Sequence, residues 1–309
     1  MPRVIITGGA GFIGSNVADA YIREGYRVAI IDNLRTGKKR NINKKAKFYQ
    51  TDIINKKELR EVFEDFKPHY LNHHAANASV QLSIKNPRFD ARNNIIGSLN
   101  LIELAREFKI KKFIYAASGG ASYGEPKKLP AAETTPLSPL SPYAVSKHLA
   151  EEYLKVFNYL YDLNWTALRY SNIYGPRQDP HGEAGVIAIF AGKMIRNENC
   201  KINGDGSHTR DYTFISDVTK ANLLALKKKT KHRAFNIGHN IATSTLDIFK
   251  ALKQELNYKK EPVFGPEVPE VINIRLDYLL AKKELSWKPK VGLKEGIKKT
   301  VEWLKKVEG

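Results

Sequence analysis

Residues 3–14 read RVIITGGAGFIG, and no other stretch of this chain is as informative about its architecture. Its first five residues have the composition of a short β-strand, and glycines follow at Gly8, Gly11 and Gly14. Residues 12–24 then show the apolar periodicity of a helix. A strand, a tight glycine turn and a helix in this order form a cradle for a dinucleotide pyrophosphate, which rests on the amino end of the helix.

The spacing of the three glycines differs by one position from the commonest dinucleotide fingerprint. Each glycine nevertheless has a role: a tight turn, close approach of the phosphate, or packing of the helix on the sheet. A second strand, residues 27–31, leads into Asp32. A carboxylate there can accept hydrogen bonds from the adenosine ribose hydroxyls and would repel a 2′-phosphate, which favours NAD over NADP. NADP stays open because cations follow closely at Arg35, Lys38, Lys39 and Arg40.

Tyr143 and Lys147 place a phenol and an ammonium four positions apart. On a helix both lie on one face, so the cation can favour the phenolate. Free tyrosine titrates near ~10, and bringing that pKa to about 7 needs roughly 4 kcal/mol, which the ammonium and an oxidised nicotinamide together could supply. The spacing alone also fits a packed tyrosine beside a solvated lysine. Together with the glycine turn, it predicts a base for redox chemistry on a hydroxyl.

Further motifs follow in order along the chain. They are Asp32-Asn33-Leu34, Asp52-Ile53, His73-His74-Ala75-Ala76, Asn94-Ile95-Ile96-Gly97, Ser118-Gly119-Gly120-Ala121-Ser122-Tyr123-Gly124, Leu168 to Arg177 and Arg210-Asp211-Tyr212. With the glycine turn and the Tyr143–Lys147 pair, they resemble the motifs of the extended short-chain dehydrogenase/reductases. Within that group they are similar to those of the UDP-glucose 4-epimerases, also called UDP-galactose 4-epimerases. The resemblance runs through almost the whole chain and is more specific for the superfamily than for the substrate.

The resemblance implies three sets of site residues, carried over position by position. The catalytic residues are Tyr143, Lys147 and Ser118. The cofactor is NAD, and the residues that bind it are Gly8, Gly11, Phe12, Ile13, Gly14, Asp32, Asn33, Asp52, Ile53, Ala75, Ala76, Asn94, Tyr143, Lys147 and Tyr170. The substrate is a UDP-sugar, and the residues that bind it are Ser118, Tyr143, Asn172 and Arg210.

The mechanism implied by the resemblance is a reversible oxidation with no net redox change. Tyr143 accepts the proton of the sugar 4-hydroxyl with help from Ser118, while hydride passes from carbon 4 to NAD. Lys147 lowers the pKa of the phenol and holds the nicotinamide ribose, and Asn94 orders the catalytic helix. The alternative for Ser118 is a structural role, in which a serine at the end of a strand hydrogen-bonds its own backbone.

The chain departs from the family in its carboxy-terminal part. Many relatives carry an arginine there for a second contact to the diphosphate, whereas this chain reads Glu267-Val268-Pro269-Glu270, and Arg275 is out of register. For Arg210, a salt bridge to Asp205 or Asp211 is the alternative to a phosphate contact. The position that limits sugar size in the family falls at Ile274. The nucleotide base and the sugar therefore stay open.

Related dehydratases carry an acidic pair after the catalytic hydroxyl, and decarboxylating relatives carry a glutamate in the same loop. This chain has Gly119, Gly120 and Ala121 there, which favours epimerisation. An epimerase or dehydrogenase acting on another nucleotide sugar is the enzymatic alternative. A protein that binds NAD without catalysis is the alternative of a different class.

The alternation of strand and helix patterns predicts an α/β fold, a doubly wound parallel Rossmann sheet with a smaller, discontinuous α/β substrate lobe. We place the NAD-binding domain at residues 1–172 with a return segment at 209–238, which ends in a late strand near 233–238. The substrate lobe is expected at residues 173–208 and 239–309.

The net charge of +19 invites a nucleic-acid hypothesis. The lysines are scattered in pairs among glutamates, without an aromatic-studded basic stripe, so a solvated surface explains them better and no nucleic-acid partner is expected. Two methionines and one cysteine beside abundant lysine fit a heat-adapted source. A positive field would also attract a nucleotide diphosphate.

Cys200 has no partner for an intrachain disulfide, which argues for a reducing compartment. No signal peptide and no membrane-spanning run are recognisable, so a cytoplasmic location is expected. His73 and His74 are adjacent on a strand and point to opposite faces, which makes a metal site unfavourable, and no metal is expected. The resemblance implies a homodimer formed through residues 143–161 and 88–107.

Overall fold

The computed structural model describes residues 1–181, 185–268 and 271–308. The strands are β1 Arg3–Thr7, β2 Arg27–Ile31, β3 Lys47–Tyr49, β4 Tyr70–His73, β5 Lys112–Ser118, β6 Trp165–Tyr170, β7 Asn172–Tyr174, β8 Lys201–Asn203, β9 Thr209–Phe214, β10 Ala234–Ile237, β11 Ala242–Ser244 and β12 Val263–Gly265.

The α-helices are α1 Phe12–Arg23, α2 Lys56–Phe66, α3 Val80–Lys85, α4 Pro87–Ala91, α5 Gly97–Glu107, α6 Gly119–Ser122, α7 Pro142–Tyr161, α8 Val186–Ile195, α9 Ile215–Lys227, α10 Thr245–Leu256 and α11 Leu293–Glu308. A 3₁₀ turn covers Lys39–Asn41, and π-helical turns cover Arg92–Ile96 and Ala281–Leu285. Among the described residues, no helix is both long and apolar enough to cross a membrane.

Seven strands form one parallel sheet in the order β10-β6-β5-β4-β1-β2-β3. The predicted α/β fold with a doubly wound parallel sheet is confirmed. The chain order of the strands reverses between β1 and β4. At such a point the loops leave in opposite directions and open a crevice beyond the carboxyl ends of the strands. The glycine turn after β1 lies at this edge, so the topology places a ligand site there.

Successive residues of each central strand point to opposite faces, and each face has its own core. On one face, Val4 and Ile6 of β1 pack with Val17 of α1 and Val218 of α9. On the other face, Ile5 packs among residues of α2, α5 and α7. The strands are apolar on both faces because both are covered by helices, as parallel sheets require.

A second lobe carries the remaining strands. Three of them form a sheet in the order β11-β9-β7, and β12 pairs with β8 in a two-stranded sheet. The late strand predicted near residues 233–238 is β10, which returns to pair with β6 in the large sheet. Strand β9, which opens the predicted return segment, pairs instead with β7 and β11. Within the segment 209–238, we therefore propose the domain boundary at the start of α9.

The helical region predicted around residues 88–107 consists of α4, the π-helical turn and α5. The wider π-helical turn adds a residue to the helix at Asn94 and so changes the direction of the side chains after α4. Asn94 is buried in this turn and faces α7, the helix of Tyr143 and Lys147.

Candidate active site

The turn between β1 and α1 is closed so tightly that glycine is needed at two positions. Gly8 has φ +68°, and a β-carbon there would lie 2.7 Å from the Ala75 nitrogen. A β-carbon on Gly14 would lie 2.3 Å from the Gly8 carbonyl oxygen. At Gly11 the corresponding distance is 3.2 Å, which a small shift can relieve. The backbone itself thus forms the wall of the cradle.

Helix α1 begins at Phe12, and its N-cap residue Gly11 contributes no side-chain hydrogen bond. Within the described chain, no acceptor binds the amides of Phe12, Ile13 or Gly14. Unpaired amides at a helix amino end, with the positive end of the helix dipole, suit a phosphate. The cradle therefore fits the pyrophosphate of a dinucleotide.

Asp32 lies directly beyond β2 and is largely buried. Each of its carboxylate oxygens accepts one backbone hydrogen bond, from Ala10 at 3.0 Å and from Leu34 at 2.8 Å. Burial raises the pKa of this carboxyl, and the two backbone hydrogen bonds oppose that rise. Because an ionised oxygen has more than one acceptor site, both oxygens can still accept from ribose hydroxyls.

The next two motifs, around Asn33 and Asp52, are expected to bind the cofactor and lie side by side. The Asn33 amide donates to Asp52 at 2.8 Å, which joins the loops after β2 and β3. Ile53 is buried, and a β-carbon on Gly97 would lie 2.5 Å from its side chain. The resemblance assigned Asp52 and Ile53 to an adenine pocket and Asn33 to the cofactor-binding residues, and the Asn33–Asp52 bond joins these positions.

Two of the four cations near Asp32 have other partners. The Arg35 guanidinium lies 3.9 Å from the centroid of the Phe89 ring. Lys38 forms a salt bridge of 2.7 Å with Asp179. These contacts direct both charges away from the role of binding a 2′-phosphate, which had kept NADP open.

Beyond β4, the chain forms the wall of the cleft at Ala75 and Ala76. The Ala75 amide donates to the Thr7 hydroxyl at 3.2 Å, and Thr7 also hydrogen-bonds His73 at 2.7 Å. The rings of His73 and His74 lie on opposite faces of the sheet, as the strand geometry predicts. Burial lowers the pKa of His74 to about 3, so this ring is neutral near the cleft.

Tyr170 ends β6, and its ring stacks on His74 with centroids 6.2 Å apart. Its hydroxyl accepts a hydrogen bond from Asn222 at 2.8 Å. The side chain is thus buried in the core below the cleft. A cofactor contact at this position would be made by the backbone of Tyr170, not by the phenol.

The three residues of the expected catalytic triad lie together. Ser118 ends β5, and its side chain lies close enough to the Tyr143 phenol on α7 to lower the pKa of that phenol. Lys147 lies one helical turn further and is buried, with its ammonium 4.4 Å from the centroid of the Tyr115 ring. The sequence missed this ring, which lies below the ammonium because residue 115 of β5 faces α7.

The pKa of Tyr143 lies above the ordinary value for tyrosine. Burial is the main cause, the hydrogen bond to Ser118 opposes the rise, and the charge of Asp90 adds to it. Burial also lowers the pKa of Lys147 to about 8, with Glu151 and then Asp90 opposing that fall. The lowering of the Tyr143 pKa that was expected from the sequence is therefore not produced by the protein side chains alone.

Asn94 connects the π-helical turn to the catalytic helix. Its amide donates to the Ser146 hydroxyl and to the Asn77 carbonyl, both at 3.0 Å, and its oxygen accepts from the Asn77 amide at 2.7 Å. Ser146 in turn donates to the carbonyl of Tyr143 at 3.0 Å. These bonds hold the first turns of α7 against α4, in agreement with the ordering role expected of Asn94.

The expected substrate contacts lie on the second sheet. Asn172 begins β7, and its side-chain oxygen lies close to Gly120 in the loop after Ser118. Arg210 lies on β9 and donates to the carbonyls of Thr209 at 3.0 Å and Ile272 at 3.2 Å. The Asn172 side chain therefore faces the segment that follows Ser118, whereas the Arg210 guanidinium hydrogen-bonds the backbone at Ile272.

The structure describes only part of the segment 267–270, in which the family's second diphosphate-contacting arginine is missing. Glu267 lies 3.4 Å from the His208 imidazole, while Pro269 and Glu270 fall outside the described residues. Ile274 is buried in a small cluster with Tyr123 and Leu276. Asp211 accepts backbone hydrogen bonds from His239, Asn240 and Leu276, which joins β9 to the segments on either side of it.

Sequence reasoning also missed a buried ion pair below the catalytic helix. Glu151 is one turn beyond Lys147, and its carboxylate accepts hydrogen bonds of 2.9 to 3.2 Å from the Arg169 guanidinium. Arg169 also donates to the Tyr123 hydroxyl at 3.0 Å. The spacing of Tyr143, Lys147 and Glu151 was the available signal. The partner of Glu151, Arg169 on β6, could be identified only from the fold.

Within the described ranges, no three or more His, Cys, Asp or Glu side chains form a group that could hold a metal ion. Cys200 is buried and free.

Comparison with known proteins gives a consistent result. The NAD dependent epimerase/dehydratase family matches residues 4–238. A putative UDP-glucose 4-epimerase of Methanocaldococcus jannaschii is 46% identical over 98% of each chain. The crystal structure of UDP-glucose 4-epimerase with UDP-glucose from Thermotoga maritima is 47% identical, with a TM-score of 0.97 over 99% of this chain and 100% of that one. The Thermus thermophilus UDP-glucose 4-epimerase complex with NAD is 39% identical, with a TM-score of 0.92 over 98% and 99% of the two chains.

Proposed function

The chain belongs to the NAD-dependent epimerase/dehydratase family, and on this premise we propose that it interconverts UDP-glucose and UDP-galactose. It is a nucleotide-sugar 4-epimerase, and NAD is its cofactor. The observation that carries the finer proposal is that Tyr143, Lys147 and Ser118 lie together at the carboxyl edge of the sheet, where the glycine cradle also opens. The full-length similarity to UDP-glucose 4-epimerases supports the choice of nucleotide and sugar.

In the proposed reaction, the glycine cradle and Asp32 would hold NAD, which would supply an acceptor for the hydride of carbon 4 and a donor that returns it to the other face of the sugar. Tyr143 removes the proton of the 4-hydroxyl through its phenolate oxygen and gives the proton back in the second half. Ser118 hydrogen-bonds that phenol and orients the same hydroxyl. Lys147, held as an ammonium, offsets the negative charge of the phenolate.

Because the keto sugar must present both faces, the protein should hold the nucleotide firmly and the sugar loosely. Asn172 lies beside the catalytic loop and is the proposed contact to the nucleotide diphosphate. Arg210 on the neighbouring strand β9 offers planar donors suited to phosphate oxygens. An epimerase for another nucleotide sugar uses the same chemistry and is distinguished by its substrate alone.

The direct test is turnover without added NAD. Protein purified from an expression host is incubated with UDP-galactose, and UDP-glucose is measured by chromatography. We expect conversion to an equilibrium mixture, because the cofactor is regenerated in each cycle and stays bound. A panel of UDP-, dTDP- and GDP-sugars, including N-acetylated and uronic-acid forms, identifies the preferred substrate. Full NAD occupancy with no turnover of any panel member would favour a non-catalytic NAD-binding protein.

We also propose a homodimer that pairs the outer faces of α7 and its neighbours. The stripe, defined as Val145, Tyr153, Val156 and Leu160, follows one face of α7 and is exposed. Apolar side chains at this spacing need a partner surface. A reducing cytoplasm, where the single thiol of Cys200 stays unpaired, is the proposed location.

Val156→Glu in the stripe should weaken dimerisation by about a hundredfold or more, because two unpaired charges would be buried at a symmetric interface. Sedimentation velocity over a concentration series measures the change. Leu279→Glu introduces the same charge at an exposed apolar residue of the second lobe and should leave the dimer intact. Equal sedimentation of both variants and the parent protein would exclude this interface.

A further inference from the structure

Asp90 is a buried carboxylate that the proposed mechanism does not use. It lies on α4 and is 1% exposed. One of its oxygens accepts hydrogen bonds from the side-chain amides of Asn77 at 2.9 Å and Asn94 at 3.0 Å. The other oxygen is buried and has no hydrogen-bond partner among the described residues. A buried carboxylate with one oxygen unsatisfied is costly unless a nearby cation offsets its charge.

The carboxylate is held rigidly beside the catalytic helix. The Asn94 side-chain nitrogen lies 3.0 Å from Asp90, from the Asn77 carbonyl and from Ser146 of α7, so its two N–H groups are shared among these three acceptors. Ser146 is the residue before Lys147, and its hydroxyl bonds the Tyr143 carbonyl. The position of Asp90 relative to both catalytic side chains is therefore fixed by the same network that orders α7.

Besides Asp90, the groups around the Lys147 ammonium come from its own helix and from two strands. Tyr143 and Glu151 lie one turn to either side of it on α7. The Tyr115 ring lies below it on β5, and His73 and His74 lie near it at the end of β4. Burial and the ammonium itself lower the pKa of both imidazoles, so they are neutral at physiological pH. None of these neutral rings can balance the charge of the ammonium.

Two carboxylates remain, and they differ in what else they bind. Glu151 is fully buried and bonds the Arg169 guanidinium through both of its oxygens, so the pair has little net charge when seen from Lys147. Among the described residues Asp90 forms no ion pair, so the charge of its buried carboxylate acts on Lys147 without a paired cation. Asp90 is thus the uncompensated negative charge near the catalytic pair.

We propose that Asp90 is a positioning residue of the epimerase reaction, whose charge keeps Lys147 protonated and sets the pH range in which Tyr143 and Lys147 work together. The expected shift of the pH profile rests on the proposed function. The expected change in the pKa of Lys147 does not. Asp90 acts through Lys147 and Tyr143, and it needs no contact with the sugar.

The sign of the effect is the same for both residues. A negative charge stabilises an ammonium and destabilises a phenolate, so Asp90 raises the pKa of Lys147 and also that of Tyr143. Activity requires an ionised phenol and a charged lysine. Without the Asp90 charge, the acid limb set by Tyr143 and the alkaline limb set by Lys147 should both move to lower pH.

Asp90→Asn is the sharpest variant. It keeps an oxygen to accept from Asn77 and Asn94 and removes only the charge. We expect both limbs of the pH profile of kcat/KM to move down by about one unit, with the maximum rate nearly preserved. On the alkaline limb this corresponds to a loss of about tenfold at a given pH. A purely structural role would lower the whole profile without moving it.

A second readout does not depend on activity. In protein labelled with ¹³C-lysine, the Cε resonance of Lys147 is assigned by its loss in Lys147→Met, and its pKa is read from a titration. This pKa should fall by about one unit in Asp90→Asn. Asp90→Glu retains the charge and should keep both limbs and the Lys147 titration near their original pH, even if crowding slows turnover. Should Asp90→Asn fail to fold, Asp90→Ser removes the same charge in a smaller side chain.

Asp217→Asn is the matched control, because Asp217 is also buried and accepts two backbone hydrogen bonds, yet it lies on α9 away from α7. Both limbs of its pH profile should stay at the same pH as in the parent protein. An unchanged Lys147 titration in Asp90→Asn, or an equal shift in Asp217→Asn, overturns the proposal. If the parent protein turns over none of the sugars tested, the proposed function fails, and the lysine titration still decides the role of Asp90.

Discussion

Tyr143→Phe should lower turnover of UDP-galactose by about a thousandfold or more while the protein stays folded and keeps its NAD, because loss of a positioned general base costs roughly 10² to 10⁴ in rate. The substitution removes one hydroxyl, which lies near the Ser118 side chain. The rest of the ring, and the helix that carries it, are unchanged. Steady-state kinetics, circular dichroism and the NAD content of the purified protein measure the three parts of this expectation.

The control for this prediction is Tyr159→Phe on the same helix. Tyr159 is 88% exposed, so removal of its hydroxyl tests the same chemical change away from the cleft. It should retain the parent rate. If Tyr143→Phe also turned over near the parent rate, another group would have to accept the proton, and the mechanism proposed above would be wrong.

Gly14→Ala should abolish tight NAD binding and lower the free energy of unfolding by roughly 2 kcal/mol or more, the scale of overpacking in a rigid core. Helix propensity alone predicts the opposite sign, since alanine in a helix is favoured over glycine by about 1 kcal/mol. The added methyl group would lie 2.3 Å from the Gly8 carbonyl oxygen and 3.1 Å from the Gly9 α-carbon. Both neighbours are backbone atoms of the cradle, so the steric term should win.

Chemical denaturation and the NAD content of the purified protein measure the two effects. Gly292→Ala is the matched control, because a β-carbon there would meet no atom within 4 Å. It should leave stability nearly unchanged and NAD content unaffected. A Gly14→Ala protein that keeps its full NAD content and its stability would show that the turn can widen without loss of the cofactor site.

The two predictions probe different parts of one arrangement. Gly14 tests whether the backbone cradle holds the dinucleotide, and Tyr143 tests whether the phenol performs the proton transfer. A protein that fails only the second test would still bind NAD, which is the behaviour of the non-catalytic alternative. The variants at Asp90 address a third matter, the charge that sets the working pH of the pair.

Local patterns were enough to predict the first strand, the glycine turn and the first helix. The bounds of β1 and β2 agree with the predicted residues, because each is a short apolar run followed at once by turn residues, which are glycines after β1 and Asp32-Asn33 after β2. The spacing of Tyr143 and Lys147 likewise predicted one helical face, and α7 contains both. These features depend on neighbours within a few residues along the chain.

Other features depend on residues that are distant in sequence. Strand β9 pairs with β7 and β11, and no local pattern distinguishes that pairing from membership of the large sheet. The bond of Glu151 to Arg169 joins α7 to β6, and the position of the Lys147 ammonium over Tyr115 requires β5 to pack beneath α7. The burial that raises the Tyr143 pKa also arises only after these elements assemble.

Sequence alone therefore predicted the parallel α/β architecture and the dinucleotide cradle, because short-range sterics and helical periodicity are encoded in adjacent residues. The family resemblance added the proposed catalytic phenol and ammonium. The folded chain was required to place Asp90 beside that pair with one oxygen unsatisfied, and to commit Glu151 to Arg169. Electrostatic fields depend on distance through space and on burial, and neither quantity exists until the helices and strands have packed.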